Sequence, residues 1–216
     1  MIIDHTHPEY LKIWDSLGSD RYNGAWYYSQ EIVRNIIPNV KTRRNWVTVN
    51  IPGRAADNAL VFIHNNKKPQ IYDWLKHWNN LVLICGTPKT AEIMSYIAPS
   101  LYLPLSVDVK EVLQHSAPKT KDACYAGRAS KAQGLKIPEH VDILSGLPRD
   151  ELLERMARYR KVYAVGRTAI EARVLGCEVL PYDPRFPDPS FWQVVDNEEA
   201  AQMLQKALDE RDGPAF

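Results

Sequence analysis

A turn in the C-terminal half of the chain carries residues whose types and spacing suit phosphate binding. The segment VGRTAIEARVLGCEVLPYD, Val165 to Asp183, predicts a helix that begins at Gly166-Arg167-Thr168, ends at Gly176 and leads into a strand. The first backbone N–H groups of a helix have no carbonyl partner within it, and the helix dipole favours an anion beside them. The pattern therefore indicates that this turn could hold a phosphate group through its amides.

Thr168 and Glu171 also fit a role that needs no ligand. The pattern T-x-x-E before an apolar helix is typical of a capping box, in which the threonine hydroxyl and the glutamate carboxylate each accept a backbone N–H. One carboxylate cannot fully serve both a cap and a ligand, so the two interpretations of Glu171 compete.

Two other places put polar groups directly after a predicted buried strand. In AGRASK, Gly127 is followed by Arg128 and Lys131, which are either ordinary surface charges or a phosphate-neutralising pair, Arg128 being favoured for its bidentate guanidinium. His64 ends the apolar run ALVFIH. Its ring is either satisfied by neighbouring backbone or available as a general base or hydrogen-bond donor.

The elements that must position these residues alternate between strands and helices. In the first half the apolar strands follow a helix that stops at Pro38, and a second helix has Pro69 near its start. Thr87 and Pro88 predict the cap and first position of a third helix. The predicted strands are NWVTVNI, which alternates with period two, ALVFIH, LVLIC and LYLPL, and the second helix is expected to bury Ile71, Trp74, Leu75 and Trp78. Strands and helices in alternation predict a parallel sheet.

The same pattern starts again after a polar, proline-containing stretch. Four short strands, ACYAG, VDILSG, KVYAVG and CEVLPY, are separated by loops or helices, and a final helix covers roughly Glu198 to Glu210. The helix in PRDELLERMARYR is expected to bury Leu152, Leu153, Met156 and Tyr159. We therefore predict an α/β protein with two Rossmann-like, doubly wound parallel-sheet lobes, residues 1–116 and 117–216, facing a cleft.

Composition argues against several classes of partner. The chain has 216 residues, 27 basic against 26 acidic, and a formal net charge of +1, so no global charge excess indicates nucleic-acid binding, which leaves only a local basic patch as a signal for it. No apolar run reaches the ~18 residues of a membrane span and no signal segment is evident, so we expect a cytoplasmic protein without a membrane span. The aromatic residues of the first eighty positions fit a core, a sugar platform or the interface of a homodimer.

The cysteines and histidines predict neither disulfides nor a metal site. Cys85, Cys124 and Cys177 each lie in or beside an apolar strand, which is typical of buried thiols. His5 and His7 lie close together, but no third ligand is placed beside them, so we predict no metal.

Three segments together resemble the two-domain GT-B glycosyltransferases, in particular the family 1/4 group. LYLPLSVDV, Leu101 to Val109, is similar to the end of their N-terminal domain. CYAGRASKAQGL, Cys124 to Leu135, resembles the first strand and loop of their C-terminal domain, and GRTAIEARVLGCEVLPYD resembles their donor-binding loop, helix and following strand. The order and spacing of the resemblance cover about Ala59 to Asp183.

The resemblance implies a transferase that moves a sugar from a nucleoside diphosphate to an unknown acceptor, with the nucleotide-sugar as donor substrate and no further cofactor. Arg128, Lys131 and the turn from Gly166 to Thr168 would hold the diphosphate without a metal, and Glu171 would bind the ribose. His64 would act as base or sugar contact from the acceptor side. Two alternatives stay open: a non-catalytic binding protein on a degenerate GT-B scaffold, and a nucleotide-sugar enzyme such as an epimerase.

Overall fold

The computed structural model describes residues 2–3, 24–49, 57–63, 69–127, 137–181 and 184–213. The chain forms two compact units. The first unit comprises Met1–Pro104 together with Glu198–Phe216, and the second comprises Leu105–Asn197. The second unit is thus an insertion within the first, whereas the sequence-based lobes 1–116 and 117–216 are consecutive.

The described part of the chain is an α/β structure with two parallel sheets, as expected. The strands are β1 (Ile2–Ile3), β2 (Trp46–Val49), β3 (Ala59–Ile63), β4 (Val82–Cys85), β5 (Ser100–Tyr102), β6 (Lys121–Ala126), β7 (Asp142–Leu144), β8 (Tyr159–Tyr163) and β9 (Glu178–Leu180). The α-helices are α1 (Gly24–Glu31), α2 (Pro88–Met94), α3 (Val109–Leu113), α4 (Arg149–Met156), α5 (Arg167–Val174) and α6 (Asn197–Asp212). A π-helix, Ile32–Ile36, and a 3₁₀ turn, Ile37–Asn39, continue α1 as far as the proline that was expected to end it.

Strand order differs between the two sheets. The first sheet runs β1-β2-β3-β4-β5, so among its described strands each neighbour in space is also the neighbour in sequence. The second sheet has the order β7-β6-β8-β9: the chain passes from β6 to β7 on one side and then returns to β8 on the other side of β6. This reversal of strand order, typical of a doubly wound sheet, is present in the second unit, whereas the described strands of the first sheet show no reversal.

The central strands of the first sheet, β2 to β4, are covered on both faces. All five residues of β3 and all four of β4 are buried, as their continuous apolar runs predicted. In β2, Val47, Thr48 and Val49 are buried in succession, although the alternating sequence predicted one exposed face. Successive side chains of a strand point to opposite faces, so both faces of β2 are covered.

Two predicted helices differ from the expectation in detail. Pro69–His77 is a 3₁₀ helix. Leu75 is buried as predicted and Tyr72 is buried as well, whereas Trp78, which was expected in the core, follows the helix and is 41% exposed. In the second unit α4 ends at Met156, and Tyr159 is the first residue of β8 rather than part of the helix face. Leu153 and Met156 are buried as predicted.

The C-terminal helix α6 belongs to the first unit. It buries Ala201, Leu204 and Leu208. Arg44, whose side chain is 3% exposed, forms an ion pair with Asp212 and also donates to the carbonyl oxygen of Asn80 at 2.8 Å. The first sheet and the last helix are therefore joined through a nearly buried guanidinium.

The two ends of the second unit are hydrogen-bonded to each other. The Val107 N–H donates to the carbonyl oxygen of Val195 at 3.1 Å, and the Asn197 N–H donates to that of Val107 at 3.2 Å. Ser106 Oγ lies 2.8 Å from Asn197 Oδ1 within the protein interior. Adjacent ends explain how one compact unit can be inserted into another.

The three cysteines are free and buried, which confirms the interpretation of their apolar surroundings. Burial raises the pKa of the Cys85 and Cys124 thiols to about 12. Burial also raises the pKa of Cys177, although the Lys119 ammonium opposes this shift. Among the residues that the structure describes, no helix has the length and apolar character needed to span a membrane.

Candidate functional site

The carboxyl edge of the second sheet has the topology of a ligand site. At the reversal in strand order, β6 pairs with β7 on one side and β8 on the other. In open α/β sheets of this topology, ligands bind beyond the carboxyl ends of the strands at such a reversal. Gly127 directly follows β6, and Gly166 lies three residues beyond the end of β8, so both glycines belong to this edge.

Gly127 is required by a neighbouring aromatic ring. A Cβ at this position would lie 2.6 Å from Oη and 2.9 Å from Cζ of Tyr125, which is fully buried. The Gly127 N–H donates to the carbonyl oxygen of Leu144 at 3.1 Å and so extends the pairing of β6 with β7. The backbone at the end of β6 therefore approaches the tyrosine more closely than any other residue would allow.

Gly166 starts α5 in a conformation that favours glycine. Its φ is +64° and its ψ is −140°, and it occupies the N-cap position. Within the part of the chain that the structure describes, no side chain caps this helix, so the predicted capping box of Thr168 and Glu171 is wrong. Glycine already provides the turn, and Thr168 lies inside the helix instead of before it.

The far end of α5 is as the sequence predicted. Gly176, with φ of +74°, follows the C-cap Leu175. The Gly176 N–H donates to Arg173 and the Cys177 N–H donates to Ala172, both at 2.9 Å. These two bonds form a Schellman motif, which ends the helix and sends the chain into β9.

Glu171 lies in a chain of ion pairs rather than at an exposed edge. Its side chain is 4% exposed, and its Oε1 lies 3.0 Å from Arg167 Nε and 3.1 Å from Arg149 Nε. Arg149 also donates from Nη1 to Glu111 Oε1 at 2.8 Å. These four side chains, here called the Arg149 cluster, link α3, α4 and α5.

The two arginines of this cluster stand at unusual helix positions. Arg149 is the first residue of α4 and Arg167 is the first residue of α5. A cation at the N-terminus of a helix is disfavoured by the helix dipole, so each arginine needs an anion nearby. Glu171 supplies that charge to both arginines. Water can do little to solvate the two guanidinium groups, because the Arg149 and Arg167 side chains are only 11% and 9% exposed.

The structure brings together part of the site that the sequence predicted. Gly127, Gly166, Arg167 and Thr168 lie at or next to the carboxyl ends of adjacent strands, and Glu171 lies one turn further along α5. Arg128, Lys131 and His64 lie outside the described residues.

Sequence reasoning missed Arg149 and Glu111, although an arginine directly after the predicted helix start at Pro148 is a signal that an anion is nearby.

The opposite edge of the same sheet carries a different polar group. The Tyr159 hydroxyl donates to Asp142 Oδ2 at 2.6 Å, and Lys121 Nζ lies 3.2 Å from the same oxygen. These two donors hold the pKa of the Asp142 carboxyl below its usual value. The three residues begin β8, β7 and β6, so they tie the amino ends of these strands together.

No protein-family model matches the chain, and no curated protein is significantly similar to it.

Proposed function

We propose that the second unit binds a nucleoside-diphosphate sugar at the carboxyl edge of its sheet, and that the protein is a glycosyltransferase that transfers the sugar to an acceptor. The observation that carries the proposal is the convergence of the strand-order reversal between β6 and β8 with the glycine-led start of α5. The sequence resemblance to GT-B enzymes supplies the reaction, since topology alone indicates only a place for a ligand.

In this proposal the diphosphate lies at the first turn of α5. Helix geometry leaves the first amides of α5 without carbonyl partners inside the helix. The backbone bonding of the helix begins at Ala169, whose N–H donates to the carbonyl oxygen of Gly166. Arg167 at the same turn adds a guanidinium that suits a phosphate oxygen. Charge stabilisation of the diphosphate leaving group would be the main contribution to catalysis, with Arg128 and Lys131 as further candidates.

A second candidate function is favoured by one observation. Glu171, which the resemblance assigns to the ribose, accepts hydrogen bonds or ion-pair contacts from two arginines. A protein that retained the phosphate turn but lost the ribose contact would bind anionic ligands without turnover. This is the non-catalytic binding protein on the same scaffold.

The test is a thermal-shift screen followed by product analysis. UDP, GDP, ADP, TDP and CMP and their sugar conjugates are compared on wild-type protein, on Arg167→Ala and on Arg155→Ala, a control on an exposed face of α4. A ligand at about 100 times its dissociation constant stabilises the folded state by about 2.7 kcal/mol. The proposal requires a nucleotide that stabilises wild type and Arg155→Ala but not Arg167→Ala.

Product analysis then separates the functions. Incubation of the selected nucleotide-sugar with a panel of acceptors should release the free nucleoside diphosphate together with a glycosylated product. Binding without release of the diphosphate favours the non-catalytic alternative, and an altered sugar still attached to the nucleotide indicates an epimerase. Failure of every nucleotide to stabilise the wild-type protein rules out a donor site.

A further inference from the structure

The Glu171 carboxylate is held by cations on two helices. One of its oxygens lies within 3.1 Å of guanidinium nitrogens from both Arg149 and Arg167, and the side chain is almost completely buried. An anion bound by Arg167 would therefore have to share this guanidinium with Glu171 or displace the carboxylate from it. Since buried ion pairs are costly to break from one side, displacement is unfavourable.

We propose that Glu171 is an internal counter-anion that competes with ligand phosphate for Arg167. This inference rests on the proposed function, because it assigns a role to Glu171 within the same site. Glu171 balances the charges of Arg149 and Arg167 beside the N-termini of α4 and α5. It thereby lowers the affinity of the carboxyl edge of the second sheet for any added anion.

The competition follows from the geometry of the pair. Arg167 is one turn before Glu171 on α5, and its Nε contacts the carboxylate at 3.0 Å. A phosphate at the first turn of α5 would share this guanidinium with Glu171 and would be repelled by the carboxylate. Arg149 keeps Glu171 in place through its own contact at 3.1 Å, while Glu111 holds Arg149 from the other side at 2.8 Å.

The experiment measures the affinity of inorganic pyrophosphate and of UDP, GDP and ADP by calorimetry at one fixed ionic strength. Glu171→Gln removes the charge but keeps an oxygen that accepts a hydrogen bond from a guanidinium. Glu171→Asp keeps the charge but shortens the side chain, so that its carboxylate no longer reaches both arginines. Glu151→Gln is the matched control, because Glu151 pairs with Arg155 on the exposed face of α4 in the same unit.

We expect Glu171→Gln to bind pyrophosphate about tenfold more tightly than wild type, within the range of roughly 5- to 150-fold that is usual for coupled sites. Glu171→Asp should show a smaller gain, and Glu151→Gln should match wild type. A residue with a purely structural role would lower affinity or leave it unchanged, so the direction of the change is diagnostic. If Glu171→Gln does not fold, the gain in Glu171→Asp decides the matter.

Three results would overturn the inference. Unchanged or weaker pyrophosphate binding in the Glu171 variants refutes the competition while the donor site itself stands. Weaker binding of the nucleoside diphosphate with unchanged pyrophosphate binding identifies Glu171 as the ribose contact. If wild type and all variants bind none of the probes, the inference and the proposed function fail together.

Discussion

At the scale of single residues, Glu171 shows that the helix carrying a carboxylate can follow from the sequence while its ion-pair partners do not. Its place in the first turns of α5 follows from the sequence, but its partners come from α4 as well as α5. Arg149 is 22 residues away along the chain. No local pattern could have paired the two, since the contact depends on how the helices pack.

The ion pairs of Glu171 should contribute strongly to stability. We expect Glu171→Gln to lower the free energy of unfolding by about 3 kcal/mol. The substitution removes the carboxylate that contacts both nearly buried guanidiniums, and Glu111 remains as a carboxylate partner of Arg149. Urea unfolding monitored by tryptophan fluorescence measures the change. The control Glu151→Gln, on an exposed pair, should stay within about 0.5 kcal/mol of wild type, and equal losses in both variants would contradict the argument.

Gly127 makes a second prediction at this scale. Gly127→Ala should destabilise the protein by about 1–3 kcal/mol, because the new Cβ would lie 2.6 Å from the hydroxyl oxygen and 2.9 Å from the ring carbon Cζ of the buried Tyr125. Urea unfolding of Gly127→Ala, Tyr125→Leu and the double variant forms a double-mutant cycle. In the Tyr125→Leu background the alanine should cost much less. An equal cost in both backgrounds would show that the ring is not the cause.

At the scale of elements, the second sheet has two differently built edges. The carboxyl edge carries the glycines and the starts of α4 and α5, and the amino edge carries Lys121, Asp142 and Tyr159. Another lysine, Lys119, donates to the last carbonyls of two segments, Ala157 after α4 at 2.8 Å and Leu175 after α5 at 2.7 Å. A cation is favourable at helix C-termini, so this end of the unit is built for stability.

The Asp142 carboxyl makes the amino edge sensitive to acid. Its pKa in the folded protein is lowered by the Tyr159 hydroxyl and the Lys121 ammonium. A lowered folded-state pKa contributes stability above the unfolded value of about 3.9, and this contribution is lost as the pH falls through the folded value. Asp142→Asn should therefore melt below wild type at pH 6, and the difference should shrink as the pH falls below about 4.

Thermal melts of both proteins between acidic and neutral pH measure this effect. Asp122→Asn is a suitable control, since Asp122 is an exposed carboxylate in the same strand region and should follow the wild-type profile. A melting difference for Asp142→Asn that stays constant across the whole pH range would contradict the assignment.

At the scale of the whole molecule, the insertion of the second unit into the first is the main organising feature. Val107 and Val112 are fully buried in the core of the second unit, although both precede the sequence-based boundary at residue 116. Val107 also pairs with Val195 and Asn197 at the other end of that unit. The second unit therefore needs its first segment for both its core and its closure.

Two fragments test this organisation. A fragment of residues 105–197 should fold with one cooperative thermal transition, because it contains the whole core and both paired ends. A fragment of residues 117–216 lacks Val107 and Val112 and carries α6 without Arg44, so it should not melt cooperatively. Circular dichroism melts of both fragments show which of them unfolds cooperatively. Equal cooperativity would contradict the division of the chain into these two units.

Much of the fold could be predicted from the sequence because its signals are local. The apolar runs of β3 and β4, the Thr87 cap with Pro88 and the Gly176 stop each depend on a few neighbouring residues, and each is found in the structure. The α/β class follows from their alternation. The burial of the three cysteines was predictable for the same reason, since each lies in or beside an apolar strand.

Only the tertiary structure decided the features that depend on which elements become neighbours. The sequential order of the first sheet, the burial of Thr48 in β2 and the insertion of the second unit all depend on pairings between distant segments. The site shows the same limit. The sequence determined that a glycine-led helix starts after β8, whereas the partners of Glu171 were fixed by the packing of α3, α4 and α5, because a buried charge takes its counter-ion from whichever element lies beside it.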